Sequence, residues 1–323
     1  MINRLVSCIA LAGFVAFPMA SATAEVPVRM GVDVGVNSLP FWIGIERGLF
    51  AKHGLKVTER TYDSGFLGLL AIGANEGDTS SQSDTPTLTL TGKGIDAVVI
   101  AVMARSADNY KIVGKNEIKG ASDLKGRKYG MTLGSACEYV GVNYLNKNSL
   151  SRTDVNVVGG DPSELAPLLA KGDLDAACFW EPWGRKTIAL SPSTLHVVGT
   201  GRDIYAVNMY LTVRRRFAEE HPEAVVGLLQ ALKEANAYIA SHPKEAADMI
   251  KRKHRVDDAM ARDLAKDFQY ELKLDPQSLA TMKSVGTWLV ENKKLQALPS
   301  WQKLIDTRFL QKVEPGAVTI DLK

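Results

Sequence analysis

The feature that most limits the fold is a change of rhythm near Arg214. Before it, the chain alternates short β-branched runs with helical stretches; after it, the pattern is almost wholly helical. Strand candidates are Val28–Val32, Lys56–Thr61, Ala97–Met103, Tyr110–Val113, Arg127–Met131, Val155–Val158, Asp175–Phe179, His196–Val198 and Tyr210–Val213. Helix candidates between them include Phe41–Lys52, Phe66–Asn75, Thr87–Leu90, Cys137–Asn148, Glu164–Lys171 and Trp183–Leu190. Alternation at this spacing predicts an α/β fold with mostly parallel sheet. Beyond Arg214, Pro222–Ser241 and Pro243–Lys253 each open with proline in the first helical turn, where the missing N–H costs nothing.

A chain of 323 residues predicts about two domains. Apolar residues are 46% and charged residues 23%, which excludes a disordered chain, a coiled coil and a polytopic membrane protein. The net charge is +3 with no basic block, so nucleic acid is not an expected partner. Arg4, an apolar run from Leu5 to Phe17 and the ending Ala22-Thr23-Ala24 read as a secretory signal peptide over 1–24. Leu5-Val6-Ser7-Cys8 looks like a lipoprotein box, but its cysteine precedes most of the apolar run, so the reading is secretion without a lipid anchor. The mature chain would keep Cys137 and Cys178, either as a disulfide or as two buried thiols.

The chain also repeats itself. Leu69-Leu70-Ala71 precedes Gly73, Asp78, Asp84 and Pro86; Leu168-Leu169-Ala170 precedes Gly172, Asp175, Glu181 and Pro182. One reading is two lobes on one plan. The other is ordinary helix–turn–strand grammar, which uses Gly and Pro in this way everywhere. With two lobes, the loops at the strand carboxyl ends would line a shared crevice, where open α/β sheets bind ligands.

Five motifs then stand in order: Pro40-Phe41-Trp42-Ile43-Gly44-Ile45-Glu46-Arg47-Gly48-Leu49-Phe50 before Gly54-Leu55-Lys56-Val57; Ser83-Asp84-Thr85-Pro86; Asp123-Leu124-Lys125-Gly126-Arg127-Lys128; Gly134-Ser135; and Trp180-Glu181-Pro182. In this the chain resembles the substrate-binding proteins of ABC importers for sulfonates, taurine and nitrate, a family that includes pyrimidine-precursor binders. The resemblance implies a two-lobed, type II-like periplasmic-binding-protein fold. Each lobe would be a mixed sheet flanked by helices, with a helical C-terminal extension. It places a discontinuous first lobe at 25–113 plus 208–323 and a second at 114–207, with hinge crossings near Val113 and Val207. It further implies a periplasmic monomer that closes on a small molecule and docks on an ABC permease served by its ATPase.

Candidate ligand-binding residues follow, each with a competing structural role. Asn37 and Ser38 follow the first strand and could cap a helix or meet ligand. Ser83, Asp84 and Thr85 form the first cleft loop. Ser135 with Glu138 fits the capping-box spacing, which favours capping for Glu138. Asp84 and Glu181 hold matching places in the two halves; as a pair of acceptors they would suit a ligand with donors or positive charge. Trp180 and Phe41 could cover the ligand or pack in the core. Asn208 sits at the second crossing. The five histidines show no metal-ligand spacing, and no nucleophile or Walker motif is present, so neither cofactor nor metal is expected. The resemblance favours an anion such as a sulfonate, whereas the acids favour an amine, guanidinium or aminopyrimidine; an aminosulfonate would satisfy both. A pyrimidine-synthase-like enzyme is the remote alternative, and such relatives carry a cysteine-rich motif that this chain lacks.

Overall fold

A computed structural model describes residues 25–322; the signal-peptide reading at 1–24 lies outside the described residues. The chain runs through β1 (Val26–Asp33), α1 (Leu39–Glu46), α2 (Leu49–Lys52), β2 (Leu55–Tyr62), α3 (Gly65–Gly73), β3 (Thr79–Gln82), α4 (Asp84–Gly92), β4 (Ala97–Ser106) and β5 (Tyr110–Lys115). It continues through β6 (Lys128–Met131), α5 (Ala136–Lys147), β7 (Asn156–Gly159), α6 (Pro162–Lys171), β8 (Ala176–Trp180), α7 (Trp183–Leu190), β9 (Leu195–Thr200) and β10 (Val207–Arg214). The helical third comprises α8 (Arg215–Glu220), α9 (Pro222–Ser241), α10 (Pro243–His254), α11 (Asp258–Leu264), α12 (Pro276–Glu291), α13 (Trp301–Leu304) and α14 (Arg308–Val313). No helix among the described residues is long and apolar enough to cross a membrane.

The strands form two five-stranded sheets, ordered β2-β1-β3-β10-β4 and β7-β6-β8-β5-β9. In the first, β1 lies parallel to β2 and β3, and β10 runs antiparallel to β3 and β4. In the second, β6 lies parallel to β7 and β8, and β5 runs antiparallel to β8 and β9. The two sheets therefore share one plan, and the sequence repeat is structural. Its first acids play the same part: Asp78 accepts the backbone N–H of Arg29 at 2.9 Å, and Asp175 accepts that of Lys128 at 2.9 Å. Each carboxylate thereby ties the start of its strand to the neighbouring strand.

The chain leaves the first sheet at Ser106 and enters the second at Tyr110, so all of β5 belongs to the second sheet and this crossing precedes Val113. It returns between Thr200 and Val207. An aromatic cluster fills the joint. The ring of Tyr205, on the return crossing, lies 5.7 Å from Tyr110 and 5.3 Å from Tyr139, which in turn meets Trp288 of α12 at 5.3 Å. The main hydrophobic core is continuous through this joint.

β3 is absent from the strand candidates because its sequence is Thr-Ser-Ser-Gln, yet all four residues are buried. Most of its side-chain polar groups are hydrogen-bonded, the Ser81 hydroxyl being the exception. Thr79 Oγ1 donates to the Thr212 carbonyl at 2.9 Å, and Gln82 Nε2 donates to Thr212 Oγ1 at 3.1 Å. A strand that carries its own hydrogen-bonding partners into the core has no apolar signature. Cys137 and Cys178 are both buried free thiols, and burial pushes the Cys137 thiol well up.

Candidate functional site

A cavity of about 230 Å³ lies between the two sheets. Its walls are the segments that follow β1, β2 and β3 on one side, and those that follow β6, β7 and β8 on the other. This is where opened α/β sheets present ligand sites, because the parallel strands all deliver their loops to the same edge.

Four of those loops lead directly into helices. Ser64, Ser83, Ser135 and Asp161 are the N-cap residues of α3, α4, α5 and α6, and all four line the cavity. A helix start carries unpaired N–H groups and a partial positive charge. Neither Ser64 nor Ser83 caps its helix with its hydroxyl. Ser135 does cap, accepting from the Cys137 N–H at 3.0 Å. No lysine or arginine is among the described lining residues. Backbone dipoles at these helix starts are therefore the groups that favour an anion here, the arrangement that holds compact oxyanions, and they stand beside the lining carboxyls of Asp33, Asp63 and Asp161.

The close packing of α3 onto the first sheet depends on Gly65. A Cβ there would lie 2.4 Å from the Ser81 carbonyl oxygen and 2.8 Å from Gln82 Cα, so no larger residue fits without moving backbone. On the opposite wall Gly134 turns the β6–α5 loop with φ of +78°, in the left-handed region that suits glycine.

Four of the sequence candidates, Asn37, Ser83, Ser135 and Trp180, line the cavity. The other seven lie off it. Ser38 donates to Asp33 Oδ1 at 2.7 Å and is fully buried. Phe41 is fully buried on α1, in the core. Thr85 is buried in the first turn of α4. Asn208 is buried and accepts from Arg105 Nε at 2.7 Å. Met209 reaches the cavity in its place, because successive strand residues face opposite ways.

The three acids are each partnered by protein groups. Asp84 accepts from the hydroxyls of Tyr205 and, at 2.7 Å, Tyr210. Burial pushes its pKa up to about 7 against those hydrogen bonds. Glu181 lies 3.4 Å from Arg185 Nη1, and burial raises its pKa to about 7 despite that cation. Arg185 in turn pairs with Asp267, on the far side of the joint, at 2.5 Å. Glu138 does not close the expected box with Ser135. Its Oε2 accepts the Gly134 N–H at 2.8 Å, while Oε1 meets Arg152 at 3.0 Å and Lys294 at 2.9 Å.

The sequence reading missed Asp33, the Asp63–Leu67 segment and the Thr132–Leu133 edge. Asp33 organises the β1 loop: it accepts from the Gly35 N–H at 2.9 Å, Asn37 Nδ2 at 3.0 Å and Ser38 Oγ. Burial raises its pKa, opposed by those three donors. The signal for it was present, since an acid followed by Gly, Asn and Ser has Asx-turn chemistry. Leu67 and Leu133 are 38% and 49% exposed and line the cavity from opposite walls. Exposed large apolar residues set in a cleft mark a contact surface.

Residues 36–246 match the family described as NMT1/THI5 like. A Bacillus subtilis (strain 168) protein provisionally named an aliphatic sulfonates-binding protein is 29% identical over 231 residues, covering 69% of this chain and 68% of that one. The periplasmic aliphatic sulphonate binding protein SsuA of Escherichia coli has a similar structure, with a TM-score of 0.76 at 19% identity over 88% of this chain and 93% of that one. So has the desulfurization enzyme DSZB, with a TM-score of 0.69 at 17% identity over 90% and 99% of the two chains. At such identities the structures establish the fold alone, which here hosts both a binding protein and an enzyme. On the match across most of its length, with the two-sheet architecture to go with it, the chain belongs to the NMT1/THI5-like family.

Proposed function

We propose that this chain is a periplasmic receptor that captures a small organic anion of the sulfonate class and delivers it to an ABC permease and its ATPase. The observation that carries the reading is the convergence of four helix N-termini on one cavity without a lysine or arginine in its lining. Dipoles and hydroxyls suit a spread, weakly basic oxyanion. Leu67, Leu133 and Trp180 on the same cavity give an apolar surface for an organic body, which nitrate or bicarbonate lacks. The Bacillus subtilis relative named for aliphatic sulfonate binding supports the same class. In this reading the lobes are built on the two sheets, the crossings at 107–109 and 201–206 are the hinge, and closure buries the ligand.

A second reading adds an amino group to the ligand. Asp63 and Asp161 both line the cavity, from opposite sheets, and could hold an ammonium beside the sulfonate. A thermal-shift panel on residues 25–323 tests both readings, using hexanesulfonate, methanesulfonate, aminoalkanesulfonates, nitrate, bicarbonate and simple amines. A ligand at ~1,000 times its Kd stabilises by ~4 kcal/mol, a shift of several degrees. Shifts with sulfonates and none with amines or nitrate are expected; shifts confined to simple amines would overturn the anion reading.

A further inference from the structure

The carboxylate of Glu138 touches no cavity surface, yet it has contacts on three sides. Its side chain is 1% exposed. Oε2 accepts the N–H of Gly134, the left-handed residue of the loop that forms one cavity wall. Oε1 meets Arg152, which precedes β7 and so belongs to the same sheet's body. It also meets Lys294, which comes from the other side of the joint. The Lys294 segment follows α12 and is seated on the first sheet's helices: Leu295 packs so tightly on α4 that a Cβ at Gly92 would lie 2.4 Å from its Cδ1. Beside Glu138, Tyr139 reaches Ser284 and Trp288 of α12.

One buried carboxylate thus fixes the ligand loop with one oxygen and joins the two bodies with the other. Arg152 alone compensates its charge within the second body, so the fold does not need Lys294 to avoid an unpaired buried ion. Lys294 is then free to serve as the partner that is gained when the bodies come together. We propose that Glu138 is a positioning residue, and that its ion pair with Lys294 couples lobe closure to the geometry of the Thr132–Ala136 loop. The idea rests on the receptor reading for its purpose, although the joint can be measured without any ligand. Its physical basis is that a carboxylate held out of water gains more from a nearby cation than an exposed one does, even with Lys294 itself about a third exposed, so forming the pair biases the closed arrangement.

The test uses nitroxide pairs at K147C on α5 and K244C on α10, with pulsed electron resonance distances in the ligand-free protein. In residues 25–323 the native thiols, Cys137 and Cys178, are buried and would not take label. K294M is expected to broaden the distance distribution and move it to longer values, and K294R to restore it. K294M is also expected to weaken hexanesulfonate binding about tenfold, and K294R to restore it. Unchanged distances in K294M, or failure of K294R to restore them, would overturn the proposal. A native protein that binds no sulfonate would refute the sulfonate reading alone, because the distances still decide the joint.

Discussion

Replacing Asp84 by asparagine should remove a pH-dependent penalty that the native fold carries. The proton inventory around Asp84 explains why. Tyr210 Oη lies 2.7 Å from Asp84 Oδ1 and 3.0 Å from the Ser278 carbonyl oxygen, but its hydroxyl has one proton to give. If Asp84 is protonated at Oδ1, it donates to Tyr210, Tyr210 donates to Ser278, and Tyr205 donates to Oδ2, so every group is served. If Asp84 is ionised, the Ser278 carbonyl loses that donor and a charge sits in the core. Burial accordingly raises the pKa from 3.8 to about 7. At about 1.4 kcal/mol per pH unit, this difference amounts to about 4 kcal/mol. The sign follows from the raised folded value. The stabilisation is fully present below pH 3.8, declines as the unfolded chain ionises, and is gone once pH has risen through about 7. Asparagine imitates the protonated acid at every pH. Urea unfolding of the native protein and of D84N at pH 5 and pH 8 should therefore show the difference in stability moving by about 2–3 kcal/mol in favour of D84N at the higher pH. The raised acids Asp33 and Glu181 are common to both proteins and cancel. Parallel pH profiles, within ~0.5 kcal/mol, would show that Asp84 is ionised in the native core and refute the proton inventory.

Two further substitutions probe the site. G65A forces the start of α3 away from the backbone of β3; relief takes a shift of about 1 Å and costs about 1–3 kcal/mol. Calorimetry should find both a lower melting temperature and weaker hexanesulfonate binding, and a loss of stability with full affinity would remove the α3 N-terminus from the site. L133S removes an apolar contact from one cavity wall, so affinity for hexanesulfonate should fall about five- to tenfold while methanesulfonate is unaffected; equal losses for the two ligands would mean that Leu133 shapes the loop and does not touch the ligand's body.

The local grammar of the chain was legible. β-branched runs and proline at helix starts depend on neighbours in sequence, and they specify α/β layers with a helical tail, while the doubled Leu-Leu-Ala…Gly…Asp pattern admitted two lobes on one plan without deciding for it. The serine that begins α5 was legible for the same reason, since capping is a matter of one turn, whereas Ser83 was named from the resemblance of its loop. What the sequence could not state is which polar groups are already spoken for. Asp84 and Tyr205 stand 121 residues apart, yet the hydroxyl of one satisfies the carboxylate of the other. Glu181 likewise looks like a free acceptor, and Glu138 like a capping residue, until the Arg185–Asp267 pair and Lys294 are placed beside them. β3 was hidden because its burial is balanced by hydrogen bonds with β10, and Asn208 was a candidate while Met209 was not, because only the register of β10 decides which of the two faces the cavity. Sequence fixes a side chain's chemistry and its local turn. Whether a carboxylate meets ligand, cation or phenol is set by contacts between distant segments, and these exist only once the core has brought the segments together.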